Sequence, residues 1–310
     1  MANETIYGGQ NTVENIYCSF PNTLVEDIEL RITFLLVLNI FISLAAVLGN
    51  AVILDALSND PFCRSSSRFF LRCLATKDIC VGLISEPLTV CYWLSTVKER
   101  WNNCHSLVTA VFVIANILTL FSLMTVTTTI IDRFLALKLG LRYKHVVTLR
   151  RLRITLAAFW IVSFAIAVIS LLNFPAYLWH VYVVTSLCLV TASFAFTKIF
   201  CTLSAHQNQV LGSEQQKTSL NLMRIKKEVS SAFWVKLNMI VCYLPHIIVG
   251  VVAQVLQDPS DPISTTFFIT KASALTLVYL NSSLNPILYC WKIKSIRHAV
   301  KIRLKKLLSL

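Results

Sequence analysis

The stretch Asn281-Ser282-Ser283-Leu284-Asn285-Pro286-Ile287-Leu288-Tyr289 decides how the whole chain is read. It lies near the end of a long apolar run, and a basic segment follows it at once. Two asparagines and a proline are costly in hydrocarbon, where only protein can satisfy the polar groups they carry or leave behind. Their presence predicts a membrane helix whose polar side faces a working interior. The rest of the chain must then supply the bundle around that interior.

Composition agrees. Apolar residues make up 56% of the 310 and charged residues 14%, and the mean hydropathy is +0.68. Soluble domains carry about a quarter charged residues, so most of this chain must be solvated by lipid. Seven apolar stretches, 32–57, 69–95, 107–137, 154–174, 176–204, 229–256 and 263–291, are long enough to span a core of ~30 Å. The expected fold is an all-α membrane protein, a seven-transmembrane helix bundle with a C-terminal amphipathic helix. Its parts are an outer segment (1–30), the bundle (31–291) and an inner amphipathic helix and tail (292–310).

The net charge of +13 is placed unevenly. Arg64, Arg68, Arg72, Lys138, Arg142, Lys144, Arg150, Arg151, Arg153, Lys217, Arg224, Lys226 and Lys227, with the basic tail, fall on one side of the membrane. Arg31, Lys98 and Arg100 fall on the other. By the positive-inside rule the N-terminus is outside and the tail cytoplasmic. A nucleic-acid partner is excluded, because the charge sits in short connections between apolar spans. The first 30 residues lack the apolar core of a cleavable signal, so the first span is expected to act as an uncleaved one. Asn3-Glu4-Thr5 is a glycosylation sequon on the outer side. After Trp291, apolar residues Ile293, Ile296, Val300, Leu304 and Leu307 recur at spacings of three and four among lysines and arginines. That pattern predicts a basic helix on the inner lipid leaflet.

Polar residues inside the spans come in a particular order: Gly49-Asn50, Leu74-Ala75-Thr76-Lys77-Asp78, Asp132-Arg133-Phe134, Trp160, Cys242-Tyr243-Leu244-Pro245, and Asn285-Pro286-Ile287-Leu288-Tyr289. This series resembles, motif by motif and over almost the whole chain, the rhodopsin-like (class A) G-protein-coupled receptors. The near absence of a second outer loop (173–180) and the segment Leu141-Arg142-Tyr143-Lys144-His145 resemble the melanocortin branch, which sits near the adenosine, cannabinoid and lysophospholipid receptors. The acidic cluster that binds melanocortin peptides is not here.

The resemblance implies a plasma-membrane receptor that binds an extracellular small molecule, lipid or peptide and activates heterotrimeric G proteins. It assigns coupling to Asp132, Arg133, Phe134 and Tyr289. The conformational switch falls to Tyr243, Pro245, Asn285 and Pro286, with outward movement of the sixth helix. It implies a ligand pocket lined by Phe112, Asn116, Thr119, Tyr243, His246, Ile247, Phe267, Lys271 and Tyr279. No organic cofactor is expected. Asp78, Ser122, Asn281 and Ser282 are the expected holders of a sodium ion, the alternative being a hydrogen-bonded core without one, with Lys77 close enough in sequence to replace the ion. Ala115 stands where amine receptors carry an Asp, and Tyr279 where opsins carry the retinal-binding Lys. The usual third-helix cysteine is Val108, so the usual outer disulfide cannot form; Cys18 and Cys104 are the available outer pair. Three further readings compete. A transporter or channel would explain the intramembrane charges, but no repeat is visible. An enzyme is not expected, since no nucleophile elbow, zinc-protease motif or phosphate loop occurs. A ligand-binding receptor that does not couple stays open, because Phe134, Tyr243 and Phe196 depart from the family pattern.

Overall fold

The computed structural model describes residues 25–58, 65–97, 101–139, 142–172, 174–210, 216–256 and 265–308. The first helix is Val25–Ser58. The second runs Ser65–Cys80, passes through a π-helical turn at Val81–Ser85, and resumes as Glu86–Val97. The third is Trp101–Leu139, the fourth Leu149–Leu172, the fifth Phe174–Val210, the sixth Gln216–Leu256 and the seventh Thr265–Lys292. A short helix, Tyr143–Val146, precedes the fourth, and an eighth helix, Lys294–Leu308, follows the seventh. No strand occurs among the described residues.

Six of these helices are apolar enough on hydropathy alone to cross a membrane. The seventh, Thr265–Lys292, is not among them. Its Thr276, Asn281, Ser282, Ser283 and Asn285 lower its mean hydropathy, and all five are buried against other helices. Polar residues turned inward are what a membrane bundle tolerates. The lipid side is apolar: Phe34, Phe41, Ile161, Val190 and Phe194 are exposed on the bundle surface. The fourth and fifth helices meet with only residue 173 between them, as expected from so short an outer connection. The stretch between the apolar spans 176–204 and 229–256 is mostly helix among the described residues, since the fifth helix reaches Val210 and the sixth starts at Gln216. Arg, Lys, Leu and Met there are good helix formers, which lets both helices run past the hydrocarbon.

Close approach explains two glycines. A Cβ on Gly49 would lie 3.0 Å from Cγ of Pro286, so the bare backbone lets the proline ring seat against the first helix. A Cβ on Gly82 would lie 2.9 Å from the Ser43 carbonyl oxygen. Gly82 also belongs to the π turn, and its carbonyl accepts a hydrogen bond from Ser43 Oγ at 2.7 Å. The eighth helix buries Ile296 and Val300 against Ile53, Ala56, Leu57 and Tyr289. Its Arg303 reaches Asp55 of the first helix at 3.2 Å.

Candidate functional site

Between the outer halves of the second, third, fifth, sixth and seventh helices lies a cavity lined mostly by apolar and aromatic groups. Phe112, Asn116, Thr119, Tyr243, His246, Ile247, Phe267 and Lys271 all line it. Lys271 Nζ stands 5.4 Å from the centre of the Phe112 ring. Asn116 Nδ2 donates to the Phe112 carbonyl at 2.5 Å. His246 Nδ1 is buried without a hydrogen-bond partner. Tyr279 departs from its expected place. It is buried below the described lining, and its hydroxyl lies 3.1 Å from Ser85 Oγ and 2.7 Å from Thr89 Oγ1. Two hydroxyls on the second helix pull the phenol away from the cavity. Tyr92, Trp93, Tyr182 and Phe268 are also part of the wall; helical spacing alone could not assign them, because lipid-facing and cavity-facing aromatics look alike in sequence.

Beneath the cavity floor, polar side chains fill the bundle centre. Lys77 and Asp78 are both buried and form an ion pair. Lys77 Nζ also donates to Ser282 Oγ at 3.3 Å. Asn285 Nδ2 donates to the other Asp78 oxygen at 2.9 Å. Pro286 has no N–H, so the Ser282 carbonyl four residues earlier lacks its helical donor. Asn50 Nδ2 supplies one at 3.1 Å, which gives the Gly49-Asn50 pair its purpose: one residue admits the proline ring and the next repairs its defect. Higher up, Asn39 Nδ2 joins the first helix to Thr276 of the seventh at 2.9 Å.

The four residues expected to hold sodium have different partners. Asn281 Oδ1 accepts from Asn238 Nδ2 of the sixth helix at 2.9 Å. Ser122 lies close to Tyr243 of the sixth helix. Ser282 and Asp78 share the Lys77 ammonium, which stands between them. Asn281 and Ser282 point about 100° apart on their helix, so one faces the sixth helix and the other the second.

At the inner end, Asp132 and Arg133 are both buried. Arg133 Nη1 stands 3.7 Å from Asp132 Oδ2. The Tyr143 hydroxyl, from the short helix after the third, donates to Asp132 Oδ1 at 2.6 Å. In the sequence Tyr143 is one residue of the Leu141–His145 segment, eleven positions from Asp132, with no spacing signal that pairs the two. Phe134 packs beside Phe196 and Val235 on the core between the third, fifth and sixth helices. Tyr289 is buried against the first and eighth helices. Lys292 Nζ lies 4.3 Å from the centre of the Trp234 ring and 3.5 Å from that of Trp291, joining the sixth helix to the end of the seventh. Pro245 and Pro286 both lie inside helices that continue past them. Cys104 is disulfide-bonded; Cys18, the partner expected for it, and the sequon at Asn3 lie outside the described residues.

Comparison with known proteins places this arrangement. A family model described as seven-transmembrane receptor, rhodopsin family, matches residues 49–177. Sheep adenosine receptor A3 is 23% identical over 296 residues, covering 86% of this chain and 88% of that protein. A mouse protein named probable G-protein coupled receptor 45 is 25% identical, covering 93% of this chain and 87% of its own length. Chicken adenosine receptor A2b is 31% identical over 141 residues, 46% of this chain and 40% of that receptor.

Proposed function

We propose, from the premise that this chain belongs to the rhodopsin-like family of seven-transmembrane receptors, a specific route by which it signals. It is a multi-pass plasma-membrane receptor that binds an extracellular ligand and couples to G proteins. The ligand enters the outer cavity, and its seat is read through Tyr243 on the cavity floor. Tyr243 lines the cavity and belongs to the buried cluster with Leu123 and Val126 of the third helix, so a ligand that displaces it disturbs the core directly. The Asn238–Asn281 bond and the Lys292–Trp234 contact hold the sixth helix against the seventh at rest. Outward movement of the sixth helix breaks both and opens the inner face around Arg133. The N-terminus faces outside, as the charge asymmetry favours.

The cavity lining supports a small organic ligand with an aromatic or aliphatic body and an acceptor or anionic group near Lys271 and His246. The relatives named as adenosine receptors make purine nucleosides the first compounds to try. The observation that carries this reading is that Tyr243 lines the outer cavity and also belongs to the core cluster that runs inward through Val126 and Ile130 to Phe134, beside Arg133. Arg133→Ala should remove G-protein activation in cells while surface expression stays near wild type. Full signalling from that variant would overturn the coupling route. Nucleosides and acidic amphiphiles should be screened on wild type, and Lys271→Met should raise the half-maximal concentration of an acidic agonist at least tenfold.

A further inference from the structure

We infer that Lys77 is a built-in cation: its ammonium takes the central place beside Asp78 that a dissociable ion would need, so the resting bundle is held together without one. Three observations lead there. Lys77 is one of the largest fully buried side chains of the bundle, and its side chain and that of Asp78 are 1% and 0% exposed. The ammonium pairs with one carboxylate oxygen and donates to Ser282 Oγ at 3.3 Å, while Asn285 Nδ2 holds the second carboxylate oxygen at 2.9 Å. Asn281, which would have to help complete an ion's oxygen shell, is turned to Asn238 of the sixth helix, whose Nδ2 donates to its Oδ1 at 2.9 Å.

Charge balance gives the arrangement its consequence. One carboxylate and one ammonium leave the centre neutral. A second monovalent cation would leave a net positive charge in a medium of low dielectric, where nothing repays the lost hydration. A soluble ion binds and leaves with its concentration; a tethered one does not. The second and seventh helices of this receptor are therefore joined with a strength that sodium does not modulate. Removing the ammonium while keeping the carboxylate creates an unpaired buried negative charge and clears space beside it, the two conditions for capturing a small hard cation.

The test uses the purified full chain and needs no agonist. Thermal unfolding is followed in sodium chloride and in choline chloride at equal ionic strength. Wild type should unfold at the same temperature in both salts. Lys77→Met should unfold well below wild type in choline and recover about 2–4 °C in sodium, because an ion that binds only the folded state stabilises it. Lys77→Met with Asp78→Asn should show no salt preference. A sodium-specific rise in wild type would overturn the inference, and that arm stands even if Lys77→Met fails to fold. Absence of a sodium response in folded Lys77→Met would overturn it as well, since the vacated charge site would then take no ion. G-protein activation is not read in either arm, so the outcome is independent of the proposed signalling route.

Discussion

Asn50→Ala probes how the seventh helix tolerates Pro286. The proline leaves the Ser282 carbonyl without a helical donor, and Asn50 Nδ2 replaces it at 3.1 Å from a fully buried position. Stranding a buried carbonyl costs about 1–3 kcal/mol in soluble proteins. Interhelical hydrogen bonds in membranes average about 0.6 and reach about 1.7 kcal/mol, because the unfolded chain in lipid finds partners too. The membrane scale governs here, and the deleted amide adds a small cavity term. The expected loss is therefore about 1–2 kcal/mol, or about 2–6 °C in apparent unfolding temperature at a fixed scan rate. A thiol-reactive dye reads this well, since Cys242 is free and buried until the bundle opens. The decisive arm is the double-mutant cycle. Pro286→Ala restores an N–H opposite the Ser282 carbonyl, so Asn50→Ala in that background should lose only the packing component, a coupling of about 1 kcal/mol. Equal losses with and without the proline would refute the repair argument, because Asn50 would then act through something other than that carbonyl.

Tyr143→Phe removes the 2.6 Å bond that holds Asp132, and should raise basal G-protein activation severalfold in cells; unchanged basal signalling at equal surface expression would mean the bond does not restrain the inner face. Gly250→Ala places a Cβ 1.9 Å from the Tyr182 hydroxyl, so it should cost about 1–3 kcal/mol and lower unfolding temperature, with Tyr182→Ala in the same chain recovering part of the loss. Cys104 is disulfide-bonded, and if Cys18 is its partner the variants Cys18→Ser and Cys104→Ser should lower surface expression equally, the double variant no further; additive losses, measured by surface staining, would assign Cys104 a different partner.

Much of this protein is legible in its sequence because membrane solvation acts locally. A span must be long and apolar whatever its neighbours do, so the lengths of six spans and the polar character of the seventh follow directly from residue order. The positions of Asn50, Asp78, Arg133 and Asn285 follow too, since a polar side chain in hydrocarbon has to turn inward. What lies opposite each of them does not follow. Lys77 and Asp78 are adjacent, and helical geometry sends successive side chains about 100° apart, yet the flexible lysine stem folds back to its neighbour once Ser282 offers an acceptor. Asn281 and Ser282 share one motif but face different helices. Tyr279 has the register of a pocket residue and is drawn off by Ser85 and Thr89, just where the π turn ends in the second helix. Tyr143 meets Asp132 only because the chain turns after the third helix. Sequence by itself determined which groups must be satisfied inside the bundle. The tertiary structure decided which group satisfies which, because pairing depends on helix rotation and approach, to which hydropathy along one helix is blind.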